Sequence, residues 1–286
     1  MTVYEIIADR IIKELESGRI PWRKPWTGVR TGAYSGATGR PYSLLNQLLL
    51  SEPGEYWTYK QVTDKGGTIK KGEKSQMVVF WKWVVVEKEG KDGQKKTETV
   101  PYLRYYNVFH INQTEGIEPR YKEAEMPDFN PIEKAEEVMK NYSATNGCPI
   151  IVEKGNRAYY SPMLDEIHLP LREQFMESAE FYATAFHEMT HSTGHKSRLD
   201  RITDTAHFGN EEYSKEELVA EIGSASLMNT VGIETPSSFK NSAAYCQSWL
   251  KALRNDSRMI VSAAGKAEKA VKMILGMEDE KKEESV

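Results

Sequence analysis

The feature that most constrains this chain is Phe186-His187-Glu188-Met189-Thr190-His191, with Gly194 and His195 close behind. The run from Ser178 through Phe186 holds neither Pro nor Gly and reads as helix. On a helix, His187 and His191 lie one turn apart on one face. Two imidazoles so placed can share one zinc ion, at about 2.0–2.1 Å from each nitrogen. Glu188 adjoins the first of them, in reach of water at the metal, where a carboxylate acts as general base in metal-assisted hydrolysis. The same spacing also occurs as a partly exposed pair with no ligand role. Context separates the two readings: the helix is apolar at Phe181, Ala185, Phe186 and Met189, and Gly194 closes it.

Two histidines leave a tetrahedral site short of one protein ligand. One known arrangement takes a third His six residues beyond the second, but Ser197 stands there. His195 could serve only if the helix ran on through Gly194. The other solution is a carboxylate from a later helix, and Lys215 to Gly223 carries Glu217 and Glu221 at i, i+4. Glu217 is assigned as ligand and Glu221 as the acceptor that orients one His; the reverse assignment stays open. A merely solvated acidic face is opposed by Leu218, Val219, Ile222, Ala225 and Leu227, which mark this helix as buried. His195, His207 and Tyr213 are candidate donors to an oxyanion.

The N-terminal part reads differently. Residues 2–17 are apolar at helical spacing, and Gly18 and Pro21 end that helix. Pro21-Trp22-Arg23-Lys24-Pro25-Trp26 opens a Gly-, Thr- and Ser-rich loop to Pro41. Residues 42–51 predict a short buried helix, and Trp57 to Thr63 another. A basic turn follows with Lys65, Lys70, Lys71 and Lys74. Gln76 to Glu87 and Val100 to Ile111 then read as paired strands around a charged tip at Lys88 to Thr97.

Aromatics interleaved with cations on paired strands suit a sequence-tolerant single-strand binder, because every base has a π-face to stack. The surface candidates are Trp22, Arg23, Lys24, Trp26, Lys70, Lys71, Trp81, Tyr102, Arg104 and Tyr106. Alternation assigns most of Phe80, Tyr105 and Phe109 to the core.

Charge supports this weakly. Residues 1–125 carry 20 Lys+Arg against 16 Asp+Glu, a balance of +4, within a chain of net charge −4. No apolar run reaches the length of a membrane span, and no secretory signal pattern opens the chain. The two cysteines, Cys148 and Cys246, stand alone, as befits a reducing cytoplasm. The polar, Pro-rich stretch from Gly116 to Pro131 is the best linker and sets a domain boundary near residue 126. Beyond it, Pro131 starts a helix. Short strands are expected at 148–153, 156–161 and 165–170, and a helix in the Ala-rich run from Ala264. The charged tail 278–286 has the composition of a disordered segment.

Taken as a set, these motifs resemble the ArdC antirestriction proteins of plasmids, phages and related mobile elements. The resemblance rests on Pro21-Trp22-x-x-Pro25-Trp26, the helix at Asn46, the Gly-Gly-x-x-Lys-Lys-Gly-Glu-Lys turn from Gly66, the His187–His195 segment and Glu217-Leu-Val-Ala-Glu221. It extends to Ser248-Trp249-Leu250-Lys251 and Asn255-Asp256-Ser257-Arg258. It implies an α+β chain of two domains. Residues 1–126 would be a single-stranded-DNA-binding domain with an aromatic-rich antiparallel hairpin. Residues 127–286 would be a mainly helical, zincin-like metallopeptidase domain with a small sheet. It also implies one zinc ion per chain on His187, His191 and Glu217, with Glu188 as catalytic carboxylate. Three functions remain open at this point: a protector of single-stranded DNA, a metalloprotease that DNA brings to a host protein, and a zinc-stabilised scaffold.

Overall fold

The computed structural model describes residues 1–23, 32–89, 95–120, 131–202, 211–234 and 242–277. The boundary near 126, the hairpin tip at 90–94, Lys24, Trp26, His207 and the tail 278–286 lie outside the described residues, as does the side chain of Arg23.

Helix α1 (Val3–Glu16) starts at a capping box, in which Thr2 and Glu5 each bond the other's backbone N–H. Its face of Ile7, Ala8, Ile11 and Leu15 is buried. Strand β1 (Ala33–Ser35), helix α2 (Leu44–Leu49), strand β2 (Gly54–Trp57) and helix α3 (Tyr59–Asp64) follow. Trp57 is therefore strand and not helix start. It pairs with Phe109, and the helix begins only after Thr58, which caps it with Gln61.

Strands β3 (Thr68–Ile69), β4 (Gln76–Glu89), β5 (Lys95–His110) and β6 (Thr114–Glu115) complete this half. One sheet runs β1-β2-β5-β4, with β1 and β2 parallel and the rest antiparallel; β3 and β6 form a small second pair. The α2 residue Asn46 holds the base of β4 by two hydrogen bonds, from its Nδ2 to the Val79 carbonyl at 2.9 Å and from the Val79 N–H to its Oδ1 at 2.8 Å.

The second half is helix α4 (Pro131–Asn146), strands β7 (Ile150–Glu153), β8 (Tyr159–Ser161) and β9 (Glu166–Pro170), then helices α5 (Ser178–Ser192), α6 (Glu211–Val231), α7 (Ser242–Asn255) and α8 (Met259–Ile274). The sheet order is β7-β9-β8, which leaves β8 an edge strand beside α5.

The halves share a core. Leu218, Val219, Ile222 and Ala225 of α6, Trp249 and Leu253 of α7 and Ala264 of α8 cluster with Ile7, Ile11, Trp22, Leu44 and Leu48. Further along α6 and α8, Leu227, Met228, Val271 and Ile274 join a second cluster with α4, α5 and the β7–β9 sheet. Glu268 of α8 accepts from the Leu44 N–H at 2.9 Å, so a C-terminal carboxylate satisfies an open donor at the start of α2. Among the described residues, no helix is long and apolar enough to cross a membrane.

Candidate metal centre and nucleic-acid interface

Helix α5 buries Phe181, Tyr182, Ala185, Phe186 and Met189, which turns His187 and His191 towards α6. Two small contacts let α6 come close. Ser224 Oγ donates to the Ala183 carbonyl at 2.7 Å. A Cβ on Gly223 would stand 2.6 Å from Thr190 Cγ2, so only glycine permits this approach. The α6 carboxylates thereby reach the α5 imidazoles.

Nε2 of His187 and Nε2 of His191 are 3.1 Å apart. Glu217 places Oε2 3.4 Å from His187 Nε2 and Oε1 3.4 Å from His191 Nε2. Ligands about 2.0–2.1 Å from a tetrahedral centre stand roughly 3.3 Å from one another. One ligand atom from each of the three residues lies within 4.8 Å of the other two, close enough for His187, His191 and Glu217 to share a divalent ion. The electrostatics agree. Burial pushes the His191 imidazole down, but hydrogen bonds to Glu216 and Glu217 outweigh it and raise the pKa to about 10. Burial raises the Glu217 carboxyl, and the two imidazoles more than reverse that, holding it far below the usual range. Such a pocket calls for positive charge.

Around the triad lies a cleft of about 560 Å³, lined by Tyr159, Tyr160, Glu188, Tyr213 and Glu221 among others. The Tyr160 N–H, on edge strand β8, donates to Glu188 Oε2 at 2.9 Å. Tyr160 is itself held, since its hydroxyl donates to Asp165 Oδ1 at 2.7 Å and Asp165 pairs with Arg198.

Several expectations change. Glu221 sits on the correct side of His187, but its Oε1 is 3.9 Å from Nδ1, beyond hydrogen-bond reach. The carboxylate within reach of a far imidazole nitrogen is Glu216, 3.3 Å from His191 Nδ1, which the sequence reading passed over. His195 does not line the cleft. The helix ends at Ser192, and the His195 ring turns to Ser197 Oγ at 2.7 Å and Asp165 Oδ2 at 3.7 Å. Tyr213 does line it. Gly194 works by space and not by a left-handed turn: a Cβ there would meet Ile202 Cγ1 at 2.7 Å.

The N-terminal candidates divide by burial. Trp22 is fully buried, with its ring edge-on to Trp249 at 5.4 Å, so it is a core residue and not a surface for bases. Lys70 and Lys71 are exposed in the turn after β3, where Lys70 Nζ donates to the Asn112 carbonyl at 2.7 Å. The β4–β5 pair is a ribbon, buried only at its base by Val78, Val79, Leu103 and Val108.

Beyond that base nothing among the described residues covers either face. Phe80 and Tyr105, expected in the core, are therefore 42% and 50% exposed, and Phe109 is half-buried. Register assigns the faces, because directly opposed residues share a side. Phe80↔Arg104 and Lys82↔Tyr102 lie on one face with Val78↔Tyr106; the Phe80 and Tyr106 rings are 5.6 Å apart. Trp81↔Leu103, Trp83↔Pro101 and Val79↔Tyr105 lie on the other. Tyr102, Arg104 and Tyr106 thus share an aromatic and cationic face, and Trp81 belongs to the opposite, apolar one.

Comparison with known proteins fits this geometry. Residues 1–109 match the family described as the N-terminal domain of anti-restriction factor ArdC, and residues 133–266 match the zincin-like metallopeptidases. The Mn(II)-bound crystal structure of antirestriction ArdC from plasmid R388 aligns with a TM-score of 0.75 at 35% identity, covering 96% of this chain and 98% of that one.

This chain belongs to the ArdC antirestriction family.

The metal-free structure of the same R388 ArdC aligns equally well, with a TM-score of 0.75 over 98% of this chain and 100% of the other. Among curated proteins, a DNA primase TraC of Escherichia coli is 37% identical over 98% of this chain and 20% of its own length. A second TraC of Escherichia coli is 36% identical over 98% and 28%. This ArdC-family chain therefore spans only a fifth to somewhat over a quarter of those relatives. The uncharacterized protein y4eC of Sinorhizobium fredii is 31% identical over 93% of this chain and 89% of its own length.

Proposed function

We propose that this ArdC-family protein acts in the cytoplasm for a mobile element, binding and shielding single-stranded DNA, and that it carries a zinc-dependent peptidase-type centre. The observation that carries the DNA reading is the open ribbon face of Phe80, Lys82, Tyr102, Arg104 and Tyr106, where aromatic rings alternate with cations. Stacking on such rings is sequence-tolerant, and cations on the same face hold the backbone. Lys70 and Lys71 are assigned as outlying phosphate contacts. On this reading residues 1–126 and 127–286 divide the labour while folding around one core.

In the centre, His187, His191 and Glu217 would hold one divalent ion, and zinc suits two imidazoles with a carboxylate. A bound zinc would supply Lewis acidity, polarising a carbonyl and acidifying water. Glu188 is the proton acceptor. The Tyr160 N–H fixes its Oε2 and leaves Oε1 for the exchanged proton. Tyr213, on the cleft wall, is the donor assigned to developing negative charge on substrate oxygen.

The cleft beside edge strand β8 favours a second reading, a protease that DNA brings to a host restriction or regulatory protein. Transfer of a restriction-sensitive plasmid into restricting recipients separates the two. Protection that survives Glu188→Gln but fails with Tyr102→Ala/Arg104→Ala supports the shield. Loss of protection with Glu188→Gln supports the protease, and a protease that DNA recruits fails with Tyr102→Ala/Arg104→Ala as well. Purified Glu188→Gln protein should keep zinc and lose any hydrolysis, and surviving hydrolysis would reject Glu188 as the base.

A further inference from the structure

Arg201 is almost fully buried between the C-terminal end of α5 and the first turns of α6. Its Nε lies 3.0 and 3.1 Å from the two Glu216 oxygens, and its Nη2 lies 2.9 Å from Oε1. Nη2 also donates to the Thr190 carbonyl, and Nη1 to Thr193 Oγ1 at 2.6 Å. One guanidinium thus joins the Thr193 hydroxyl in capping the Thr190 carbonyl at the end of α5 and grips a carboxylate of α6 in a forked bond. Gly194 makes room for this, since its carbonyl accepts the N–H of both Arg201 and Ile202, and a side chain there would strike Ile202.

The gripped Glu216 faces His191 Nδ1 at 3.3 Å. A carboxylate that accepts from Arg201 can only accept from His191 as well, so the imidazole proton sits on Nδ1. When a bound ion takes the place of the proton on Nε2, which lies 3.4 Å from Glu217 Oε1, the Nδ1 proton stays with Glu216 and the Nε2 lone pair faces the centre. His187 has no equivalent support. Its buried Nδ1 has no hydrogen-bond partner among the described residues, and Glu221 is 3.9 Å away.

We propose that Arg201 and Glu216 form a single positioning unit that fixes the ring and tautomer of His191, and that this unit, more than Glu221, sets the metal affinity. The proposal rests on the reading of His187, His191 and Glu217 as ligands. Arg201 matters as a fork, which Lys reproduces only in charge.

Metal affinity of the full chain tests it, measured by chelator competition with Zn(II) and, separately, Mn(II). Thermal unfolding of the metal-free proteins is the control for folding. Glu216→Gln and Arg201→Ala should each weaken binding about 10–100-fold, the usual cost of losing a partner that orients a ligand. The double variant should be no weaker than Glu216→Gln alone, because residues acting as one unit are not additive. Arg201→Lys should recover part of the loss, and Glu221→Gln should cost less than Glu216→Gln. Should Arg201→Ala fail to fold, Arg201→Lys and Glu216→Gln carry the test. Folded variants that bind within about threefold of wild type, or single losses that multiply in the double variant, would overturn the proposal. A wild-type chain that binds neither ion, like a Glu217→Ala control, would overturn the ligand reading itself and the proposal with it.

Discussion

The ring of Trp22 meets the ring of Trp249 edge-on, 5.4 Å between centroids and 77° between planes, and this contact joins the two halves of the chain. Both side chains are buried, and both belong to the cluster that takes in α1, α2, α6, α7 and α8. Neither half therefore keeps its apolar surface covered without the other. Trp22→Ala should destabilise the protein by about 3–5 kcal/mol, the range for emptying a large aromatic site. Denaturant unfolding followed by tryptophan fluorescence and by far-UV circular dichroism should show one coincident transition in wild type and variant. Two separated transitions in wild type would show that the halves fold independently.

Close helix approach is a second point of control. Gly223→Ala adds a methyl where Thr190 already stands, so α6 must move off α5. Glu217 moves with it. The expected result is weaker metal binding by at least about tenfold together with a loss of about 1–3 kcal/mol of stability, as for other overpacked sites. Calorimetric metal titration alongside thermal melts checks both. An unchanged affinity would show that the carboxylate reaches the imidazoles without this contact.

The Asp165–Arg198 pair predicts a pH dependence. Burial pushes the Asp165 carboxyl up, but hydrogen bonds from Arg198 and Tyr160 and the Arg198 charge outweigh it and hold it below the usual range. A carboxyl depressed in the folded state contributes stability above its unfolded pKa, about 3.9, and loses it as pH falls through the lower folded value. Asp165→Asn removes the charge while tolerating the left-handed backbone at this position, φ 55°. The stability gap between wild type and Asp165→Asn should therefore be constant above about pH 5 and narrow on further acidification. A gap that stays flat down to pH 3 would contradict the depressed value.

What could be read from the sequence was what depends on near neighbours. The four-residue spacing of His187 and His191 is set by helix geometry alone. The short strands that become β7, β8 and β9 follow from short runs bounded by turn residues.

What escaped depends on contacts distant in the chain. Trp22 looked like a surface residue because its partner, Trp249, is remote in sequence. Phe80 and Tyr105 looked like core because alternation implies a covered face, and among the described residues no second layer lies over either one. Glu216 was passed over in favour of Glu221, which shares a face with Glu217. Helix residues in sequence are about 100° apart, so Glu216 points to the flank where the His191 ring ends. No local pattern reveals that flank.

The central claim is that single-stranded DNA lies on the Phe80, Lys82, Tyr102, Arg104 and Tyr106 face of the ribbon. The most direct test is fluorescence anisotropy of the full chain with single-stranded and duplex oligonucleotides of equal length, at several salt concentrations. The account predicts preference for the single strand. Tyr102→Ala should cost about 1–3 kcal/mol, and Arg104→Ala should reduce the salt slope by about 0.7. Trp81→Ala, on the opposite face, should cost far less. Equal affinity for both forms, or a Tyr102→Ala variant that binds as well as wild type, would contradict it.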